Sequence, residues 1–434
     1  MRQLFKPMAR AVKYGAMGAN SPEAGQRQIA LISNEPTPYR LHVLNRLASE
    51  LPDVRIHNIF THTISNPTMP WQMSIPANLN PVFFEQHHLI PGKPFSIRAW
   101  LLYRDIRNYL RENKVCMVIL LGYNDLTRLQ LFRWGLHDDV PVLLTADSNI
   151  FADARTNWRV RLLKRPLVRW VLRHIAGLMP MGTCGRAFFR SYLDHNLPEF
   201  LFPYEPDYES LNKCSDAEIQ AFCAKMELLP DRRRLLFCGR LVGVKCVDVL
   251  LQAFERIAVA RPQWDLIIAG DGPLREQLQQ KVPPHLSDRV KWLGFLQFDQ
   301  TALLYHSCDV LVHPSEYEPW ALVINEAVAC GLAVVATSVV GAAVELVRHR
   351  DNGLIVPPRS IEAMTDALWE ITEGDRHLEM RRRSAAVLDS WRQAADPVEG
   401  VRQALRHFGI SFRQPLSPAP SNSTPDASAD ASAP

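Results

Sequence analysis

The chain has 434 residues, of which 47% are hydrophobic and 22% are charged. This length favours two globular domains over one, because a single core rarely organises so many residues. A formal net charge of +4 is too small to indicate a nucleic-acid partner. Eight cysteines without a Cys-X-X-Cys pair favour a reducing cytoplasm, and no apolar run reaches the ~18 residues that a membrane span requires.

Both ends of the chain are predicted to lie outside the folded domains. Residues 1–27 are basic before the first acid, Glu23, but proline and glycine weaken an amphipathic helix there. A disordered leader is therefore favoured over a targeting segment. Residues 413–434 are rich in Pro, Ser, Ala and Asp, which predicts a disordered tail.

Two series of β-α-β units are predicted between these ends. Residues 28–208 form the first series and residues 232–385 the second. The weaker pattern of 209–231 is interpreted as the interdomain connection, and 386–412 as a helical segment that could cross back to the first domain. Short apolar strands that alternate with helices indicate parallel sheets covered on both faces. The predicted fold is α/β, with two Rossmann-like doubly wound domains facing across a cleft.

Two glutamates, Glu318 and Glu326, follow the apolar strand pattern of residues 309–313. The segment predicts a strand, a loop with Glu318, and a helix that carries Glu326 about two turns later. Ligands of open α/β sheets bind outside the carboxyl ends of the strands. We therefore expect both carboxylates to face one crevice, where they suit a ligand rich in hydroxyl groups.

Arg240 and Lys245 follow the first strand of the second domain. Gly239 permits a tight turn, and two cations near a helix amino terminus suit a diphosphate. Two arbitrary basic residues in a loop would more often be merely solvated, but their place beside the glutamates favours binding. Gly294 and Phe295 end another strand, where they could contact a nucleotide base or form a plain turn; both interpretations remain open.

Together the motifs of the second domain form an ordered series over about residues 235–358: Gly239-Arg240, Lys245, Gly270-Asp271-Gly272-Pro273, Gly294-Phe295, His313-Pro314-Ser315-Glu316-Tyr317-Glu318-Pro319-Trp320, Asn325-Glu326-Ala327, Gly331 and Asn352-Gly353-Leu354-Ile355-Val356-Pro357. This series resembles the nucleotide-sugar domain of retaining GT-B glycosyltransferases of family 4. The resemblance implies a glycosyltransferase of hexosyltransferase type. Its co-substrate would be a nucleotide diphosphate sugar, a UDP- or GDP-sugar, and it would need no bound cofactor.

The resemblance also implies roles for single residues. Arg240 and Lys245 would hold the donor diphosphate, and Glu326 the ribose hydroxyls. Glu318 would hold the transferred sugar together with the backbone that follows it. The implied donor-binding set is Arg240, Lys245, Gly294, Phe295, Glu318, Trp320, Ala321, Leu322 and Glu326. These roles agree with the chemistry, because carboxylates accept hydrogen bonds from hydroxyls and cations stabilise a leaving diphosphate.

No Asp-X-Asp motif precedes the tail, so we predict transfer without a metal ion. Retention of anomeric configuration is implied by the resemblance alone. Whether Glu318 is a nucleophile or an electrostatic support stays open. The predicted catalytic residues are Glu318, Arg240, Lys245 and Asp147.

The first domain resembles the family less closely. Residues 34–40 contain prolines where many relatives have a glycine-rich loop. Asp147-Ser148-Asn149 resembles an element of bacterial cell-surface polysaccharide enzymes. Relatives place a histidine that faces the donor sugar in this region, and none occurs between Val140 and Arg173. Asp147 is the candidate replacement, and the alternative is an ordinary helix cap.

Other positions of the second domain depart from the family pattern. Ala321 and Cys246 stand where glycine is usual, and the segment 341–345 lacks a second glycine. Each replacement is small, so we expect the site to remain open. His313 is interpreted as a packed residue at a strand end rather than as a base.

A stripe of arginines at helical spacing lies beside apolar residues: Arg161, Arg165, Arg169 and Arg173. Such a helix can lie on an anionic membrane, or it can be a solvated face packed on its domain. The sequence supports both interpretations equally. In the first case a lipid-linked acceptor would dock here, at the inner face of the cell membrane.

The sequence therefore predicts a glycosyltransferase that acts on an envelope polysaccharide or a lipid-linked saccharide. Two alternatives remain. A GT-B sugar-nucleotide epimerase would turn over without an acceptor. A non-catalytic scaffold would bind the sugar nucleotide without hydrolysing it.

Overall fold

The computed structural model describes residues 26–62, 75–84, 86–89 and 93–412. The predicted leader, apart from its last two residues, and the predicted tail lie outside the described residues.

The strands of the described residues are β1 (Arg27–Ser33), β2 (Val54–Phe60), β3 (Pro81–Phe83), β4 (Met117–Leu121), β5 (Val142–Thr145), β6 (Gly177–Leu178), β7 (Arg233–Cys238), β8 (Trp264–Ala269), β9 (Val290–Gly294), β10 (Val310–His313), β11 (Ala333–Thr337) and β12 (Gly353–Val356). The α-helices are α1 (Pro38–Glu50), α2 (Ile97–Glu112), α3 (Leu126–His137), α4 (Ile150–Arg155), α5 (Trp158–Leu172), α6 (Thr183–Arg190), α7 (Tyr208–Leu211), α8 (Asp216–Lys225), α9 (Val247–Ala258), α10 (Arg275–Gln280), α11 (Phe298–His306), α12 (Leu322–Ala329), α13 (Gly341–Leu346), α14 (Ile361–Ile371), α15 (Arg376–Ala394) and α16 (Pro397–His407).

The strands form two parallel sheets. The first has the order β3-β2-β1-β4-β5-β6 and the second β12-β11-β10-β7-β8-β9. Counted from its own first strand, the second sheet repeats the order of the first. In each sheet the strand order reverses between the first and fourth strands, and a doubly wound fold has its ligand crevice at that point. The predicted α/β fold with two Rossmann-like domains is confirmed.

The strand sequences are apolar because helices cover both faces of each sheet. β8 is buried along its whole length, and four of the five residues of β4 are buried. In the first domain, α2, α3 and α5 pack on one face and α1 on the other. No helix in the described part of the chain is long and apolar enough to cross a membrane. All eight cysteines are unpaired.

Two segments of the chain differ in structure from the role that the sequence predicted for them. Residues 209–231 are not a bare connection, because Leu211, Phe222 and Leu228 pack into the second-domain core with α7 and α8. Those helices are too short for their apolar residues to show a clear period. The predicted boundary at 386 falls inside α15, which stays on the second domain through Leu388. The chain returns afterwards, and α16 packs on the first-domain core.

Candidate active site between the two domains

The second-domain half of the site lies where the strand order reverses. β7 and β10 are neighbours there, and Arg240 and Glu318 follow their carboxyl ends. The chain after β10 forms the predicted loop and then α12, which carries Glu326. The sequence therefore located the strand, the loop and the helix correctly.

Glu318 is held as a carboxylate. Its Oε2 forms an ion pair with Lys245 Nζ and lies 3.7 Å from His313 Nε2. Burial opposes ionisation of Glu318, but the nearby His313 ring and the charge of Lys245 outweigh it and lower the pKa to about 2. Lys245 and Glu318, separated by 73 positions, thus meet as one charged pair.

His313 is a packed residue that also touches the site. It is fully buried, its ring stacks on Phe237 at 6.4 Å between centroids, and its Nε2 lies 3.0 Å from Ser315 Oγ. Burial lowers the pKa of His313, so the ring is neutral at physiological pH. The sequence interpretation missed its contact with Glu318, which the short separation along the loop could have suggested.

Glu326 is buried in α12. Tyr305 donates a hydrogen bond to its Oε2 at 2.6 Å, and no bond to Oε1 forms within the described residues. Burial raises the pKa of Glu326, although the bond from Tyr305 opposes the shift. Burial raises the pKa of the Cys238 thiol to about 12, and the charge of Glu326 adds to this shift.

The loop before α12 is fixed by its own side chains. Trp320 is buried and donates to Asn325 Oδ1 at 3.0 Å, so only its backbone is left to contact a ligand. Ala321 has φ +77° and Cys246 has φ +49°. Both positions where the family pattern has glycine therefore adopt left-handed backbone, which a Cβ atom strains. Leu322, half-buried, begins α12.

Arg240 is exposed and forms no ion pair among the described residues. The turn that supports it requires glycine, because a Cβ on Gly270 would lie 1.9 Å from the carbonyl oxygen of Gly239. Position 270 therefore requires glycine, because the backbones of Gly270 and Gly239 approach too closely to leave room for a side chain.

Gly294 and Phe295 lie at the carboxyl end of β9. Gly294 has φ +72°, and its carbonyl accepts a hydrogen bond from Gly270 N at 2.7 Å. A Cβ on Gly294 would lie 3.2 Å from Arg275 Nη1, and Phe295 is exposed. The need for a tight turn is therefore enough to explain a glycine at position 294. Contact of Gly294 and Phe295 with a nucleotide base stays a prediction.

Asp147 is a first-domain group close enough to Glu318 for their charges to interact. Tyr204 donates to its Oδ1 at 2.5 Å, and the charge of the Arg40 guanidinium acts on both Asp147 and Tyr204. Desolvation within the cleft, with the charge of Glu318, raises the pKa of Asp147, although the side chain still reaches solvent. The helix-cap alternative does not hold, because Asn149 Oδ1 accepts from Phe151 N at 2.8 Å.

Three hydrogen bonds between described residues join the domains beside the site. Asn149 Nδ2 donates to the carbonyls of Glu318 and Pro319, both at 3.4 Å. Thr183 N donates to Glu345 Oε1 at 2.5 Å. The sequence analysis missed Asn149, Arg40 and Tyr204 as site residues. Asn149 and Arg40 stood inside segments already singled out, whereas Tyr204 carried no signal.

A cavity of about 530 Å³ opens in the first domain beside Asp147. Arg128 lies in its wall, donates to Leu121 O at 2.6 Å and pairs with Asp125. Because this buried arginine is neutralised, the wall offers hydrogen-bonding groups without excess positive charge. Its polar lining includes Asn34, His62, Tyr123, Asp125, Arg128 and Asp147.

The arginine stripe lies on α5. Arg161 and Arg165 are exposed, and Arg169 is half-buried. Arg173 caps the helix and pairs with Asp194, so it does not belong to an unpaired stripe.

The second domain matches a known family. Residues 232–373 fit the family model described as glycosyl transferases group 1. An uncharacterized glycosyltransferase of Methanocaldococcus jannaschii is 37% identical over 135 residues, which are 31% of this chain and 34% of that protein. The chain thus spans about a third of that curated relative. The alpha-D-kanosaminyltransferase of Streptomyces kanamyceticus is 28% identical over 61% of this chain and 71% of its own length.

The whole chain is similar in fold to solved structures. Anabaena HepE, solved in complex with UDP, aligns with a TM-score of 0.66 at 17% identity over 88% of this chain and 99% of that chain. Together with the two parallel sheets that face one cleft, this similarity identifies the fold of the chain as GT-B, with a second domain that matches glycosyl transferases group 1.

Proposed function

We propose that the chain is a retaining glycosyltransferase of family 4 that moves a hexose from a nucleotide diphosphate sugar to an envelope polysaccharide or a lipid-linked saccharide. The main support is the ion pair between Lys245 and Glu318, which lies where the strand order of the second sheet reverses. Glu326 lies on the helix that follows Glu318, and Asp147 belongs to the first domain. A cation, an ionised carboxylate and a buried carboxylate in one crevice suit a phosphorylated, hydroxyl-rich donor.

Each donor group has a proposed partner. Glu326 accepts from the ribose through Oε1, since Tyr305 holds Oε2. Arg240 and Lys245 hold the diphosphate and stabilise its charge as it leaves, so the transfer is proposed to need no metal ion. The base lies by Gly294 and Phe295, and the donor is a UDP- or GDP-sugar. HepE, which shares the fold, was solved with UDP.

Glu318 acts on the transferred sugar as a carboxylate. Its low pKa keeps it ionised, so it can stabilise positive charge on the sugar ring or attack it, but it cannot donate a proton. The backbone of Trp320, Ala321 and Leu322 holds the sugar from the other side.

The acceptor saccharide occupies the first-domain cavity. Asp147 borders this cavity and also lies within the electrostatic field of Glu318, so an acceptor there reaches the reacting sugar. The neutralised Arg128 wall suits an uncharged saccharide end. We place the enzyme in the cytoplasm, at the inner face of the cell membrane, where the exposed arginines of α5, Arg161 and Arg165, can contact lipid.

The first test is thermal stabilisation of the purified protein by UDP, GDP, ADP, dTDP and CMP, with Glu326→Ala beside the wild type. We expect one nucleoside diphosphate to raise the melting temperature of the wild type and to lose that effect in the variant. Stabilisation by none of them would contradict the proposal. With the donor known, turnover must then depend on an added saccharide acceptor; an epimerised donor formed without acceptor would overturn the transferase assignment.

A further inference from the structure

Large hydrophobic side chains are exposed in two places on the first domain. One is the first three turns of α5, where Trp158 is 62% and Leu163 is 78% exposed. The other is the start of α2, where Ile97 is 77% exposed. Of the eleven large hydrophobic side chains exposed in the described part of the chain, eight lie in these two places: Phe95, Ile97, Trp100, Trp158, Val160, Leu162, Leu163 and Leu167. Such clustering marks an interaction surface rather than scattered exposure.

Both places lie at one edge of the first domain. α2, α3 and α5 pack on the same face of the first sheet. α2 leads into β4 and α5 leads into β6, so both helices run against the strands and begin at the carboxyl edge of the sheet. That edge carries the acceptor cavity, and Pro94, next to Phe95, lines it. The exposed apolar residues at the start of α2 therefore adjoin the cavity, and those of α5 lie at the same edge of the sheet.

The unpaired charges on α5 have one sign. α5 contains no acidic residue, and its neighbouring acids are already paired, Asp153 with Lys164 and Asp194 with Arg173. The remaining exposed cations, Arg159, Arg161 and Arg165, form no ion pair within the described residues. A helix that exposes Trp and Leu beside unpaired arginines is typical of contact with an anionic lipid surface.

We propose that the start of α2 and the first three turns of α5 insert shallowly into an anionic phospholipid bilayer. The inserted residues are Ile97, Trp158 and Leu163 with their exposed neighbours, and the arginines contact lipid phosphates. This orientation turns the mouth of the cavity to the membrane, so a lipid-linked acceptor arrives from the bilayer and the donor from the aqueous side. The role given to the cavity rests on the proposed function; the membrane contact does not.

The test is flotation of the full chain with vesicles of phosphatidylglycerol and phosphatidylethanolamine, and with vesicles of phosphatidylcholine alone. The wild type should bind the anionic vesicles. Ile97→Gln with Leu163→Gln should reduce binding by at least about tenfold, and Arg161→Glu with Arg165→Glu by a similar factor. The matched controls are Val259→Gln, an equally exposed hydrophobic residue of the second domain, and Arg382→Glu on α15, and both should bind as the wild type does.

The proposal would be overturned if the wild type bound neutral and anionic vesicles equally. It would also be overturned if the glutamine and glutamate variants of α2 and α5 bound anionic vesicles as well as the controls do. A wild-type dimer in sedimentation that Leu163→Gln dissociates would overturn it too, because a second copy would then cover this surface. Thermal stabilisation by the donor nucleotide is measured on the same variants and should be unchanged. If the wild type bound no nucleotide, the proposed function would be refuted, but the flotation result would still test the membrane contact.

Discussion

At the scale of single residues, the charge of Glu318 is controlled by two neighbouring side chains. His313 and Lys245 hold its pKa at about 2 in spite of burial. The carboxylate is therefore present throughout the neutral pH range. A role as general acid is excluded on this ground, and the roles of nucleophile and electrostatic support both remain consistent with the geometry.

Replacing Glu318 by Gln should reduce turnover by at least about 100-fold, because the neutral amide cannot stabilise a positively charged sugar ring. It should also destabilise the protein. The pKa is lowered from 4.5, so the stabilisation is complete above pH 4.5 and is lost as the pH falls toward 2. Urea unfolding of both proteins at neutral pH and near pH 3 checks this; a stability gap that does not shrink in acid would contradict it.

The contribution of Glu326 to stability should change with pH in the opposite direction from that of Glu318. Burial raises the pKa of Glu326 above 4.5, so its contribution to stability is complete below 4.5 and is lost as the pH rises through the folded-state pKa. Glu326→Gln should therefore melt at or above the wild-type temperature at neutral pH. It should also bind the nucleotide more weakly by about 1–3 kcal/mol, since a charge-assisted bond to ribose is lost.

Calorimetry and nucleotide titration of Glu326→Gln check both parts. The exposed Glu362→Gln on α14 of the same domain is the control and should change neither quantity appreciably. A lower melting temperature of Glu326→Gln at neutral pH would mean that the folded protein favours the ionised form after all.

At the scale of elements, the start of α12 shows how a family pattern can be kept with a different residue. The loop before it is tied down by Gly341 N, which donates to Glu318 O at 3.2 Å, and by Ala342 N, which donates to Trp320 O at 2.7 Å. These bonds set the backbone, so Ala321 must accept φ +77°. Alanine at position 321 therefore introduces local backbone strain but leaves the shape of the loop unchanged.

Ala321→Gly should relieve that strain. A Cβ atom in left-handed backbone costs about 1–2 kcal/mol, and the greater freedom of glycine in the unfolded chain offsets about 0.4–1 kcal/mol of the relief. We expect a net gain in unfolding free energy of about 0.5–1 kcal/mol. Ala329→Gly, at the far end of the same helix, should instead lose about 0.5–1 kcal/mol. Denaturant unfolding of the two variants compares them, and equal losses in both would refute the strain argument.

The elements that the sequence predicted well are those with a local period. Strands such as β7 and β10 are short apolar runs, and the loop and helix after β10 carry their own turn and cap signals. α7 and α8 were missed because a few apolar residues in a short helix give no period. The pairing of Lys245 with Glu318 could be expected only through the family resemblance, because nothing local links positions 73 apart.

At the scale of the whole molecule, the site is complete only when the two domains approach each other. Asn149 contacts the loop of Glu318 from 169 positions away, and Thr183 contacts Glu345 from 162. Neither contact could be predicted from periodicity, which reports on one element at a time. Both contacts join the first domain to the second beside the site, so the relative position of the domains sets the geometry of the site.

Gly182 offers a direct test of this dependence on domain position. Its backbone is extended, with φ −177°, so its own conformation permits any side chain. A Cβ there would lie 2.7 Å from Glu345 Oε1 and 3.0 Å from the Trp320 ring, and both belong to the other domain. Gly182→Val should therefore hold the domains apart while each one folds normally.

We expect Gly182→Val to reduce kcat/KM by at least about tenfold, because acceptor and donor no longer meet in reacting geometry. Nucleotide affinity should change little, since the proposed donor-binding residues all lie in the second domain. Glu345→Gln keeps an acceptor for Thr183 N and is the mild control, expected near wild-type turnover. A parallel fall of nucleotide affinity and turnover in Gly182→Val would show damage to the second domain, and unchanged turnover would show that transfer does not require this contact between the domains.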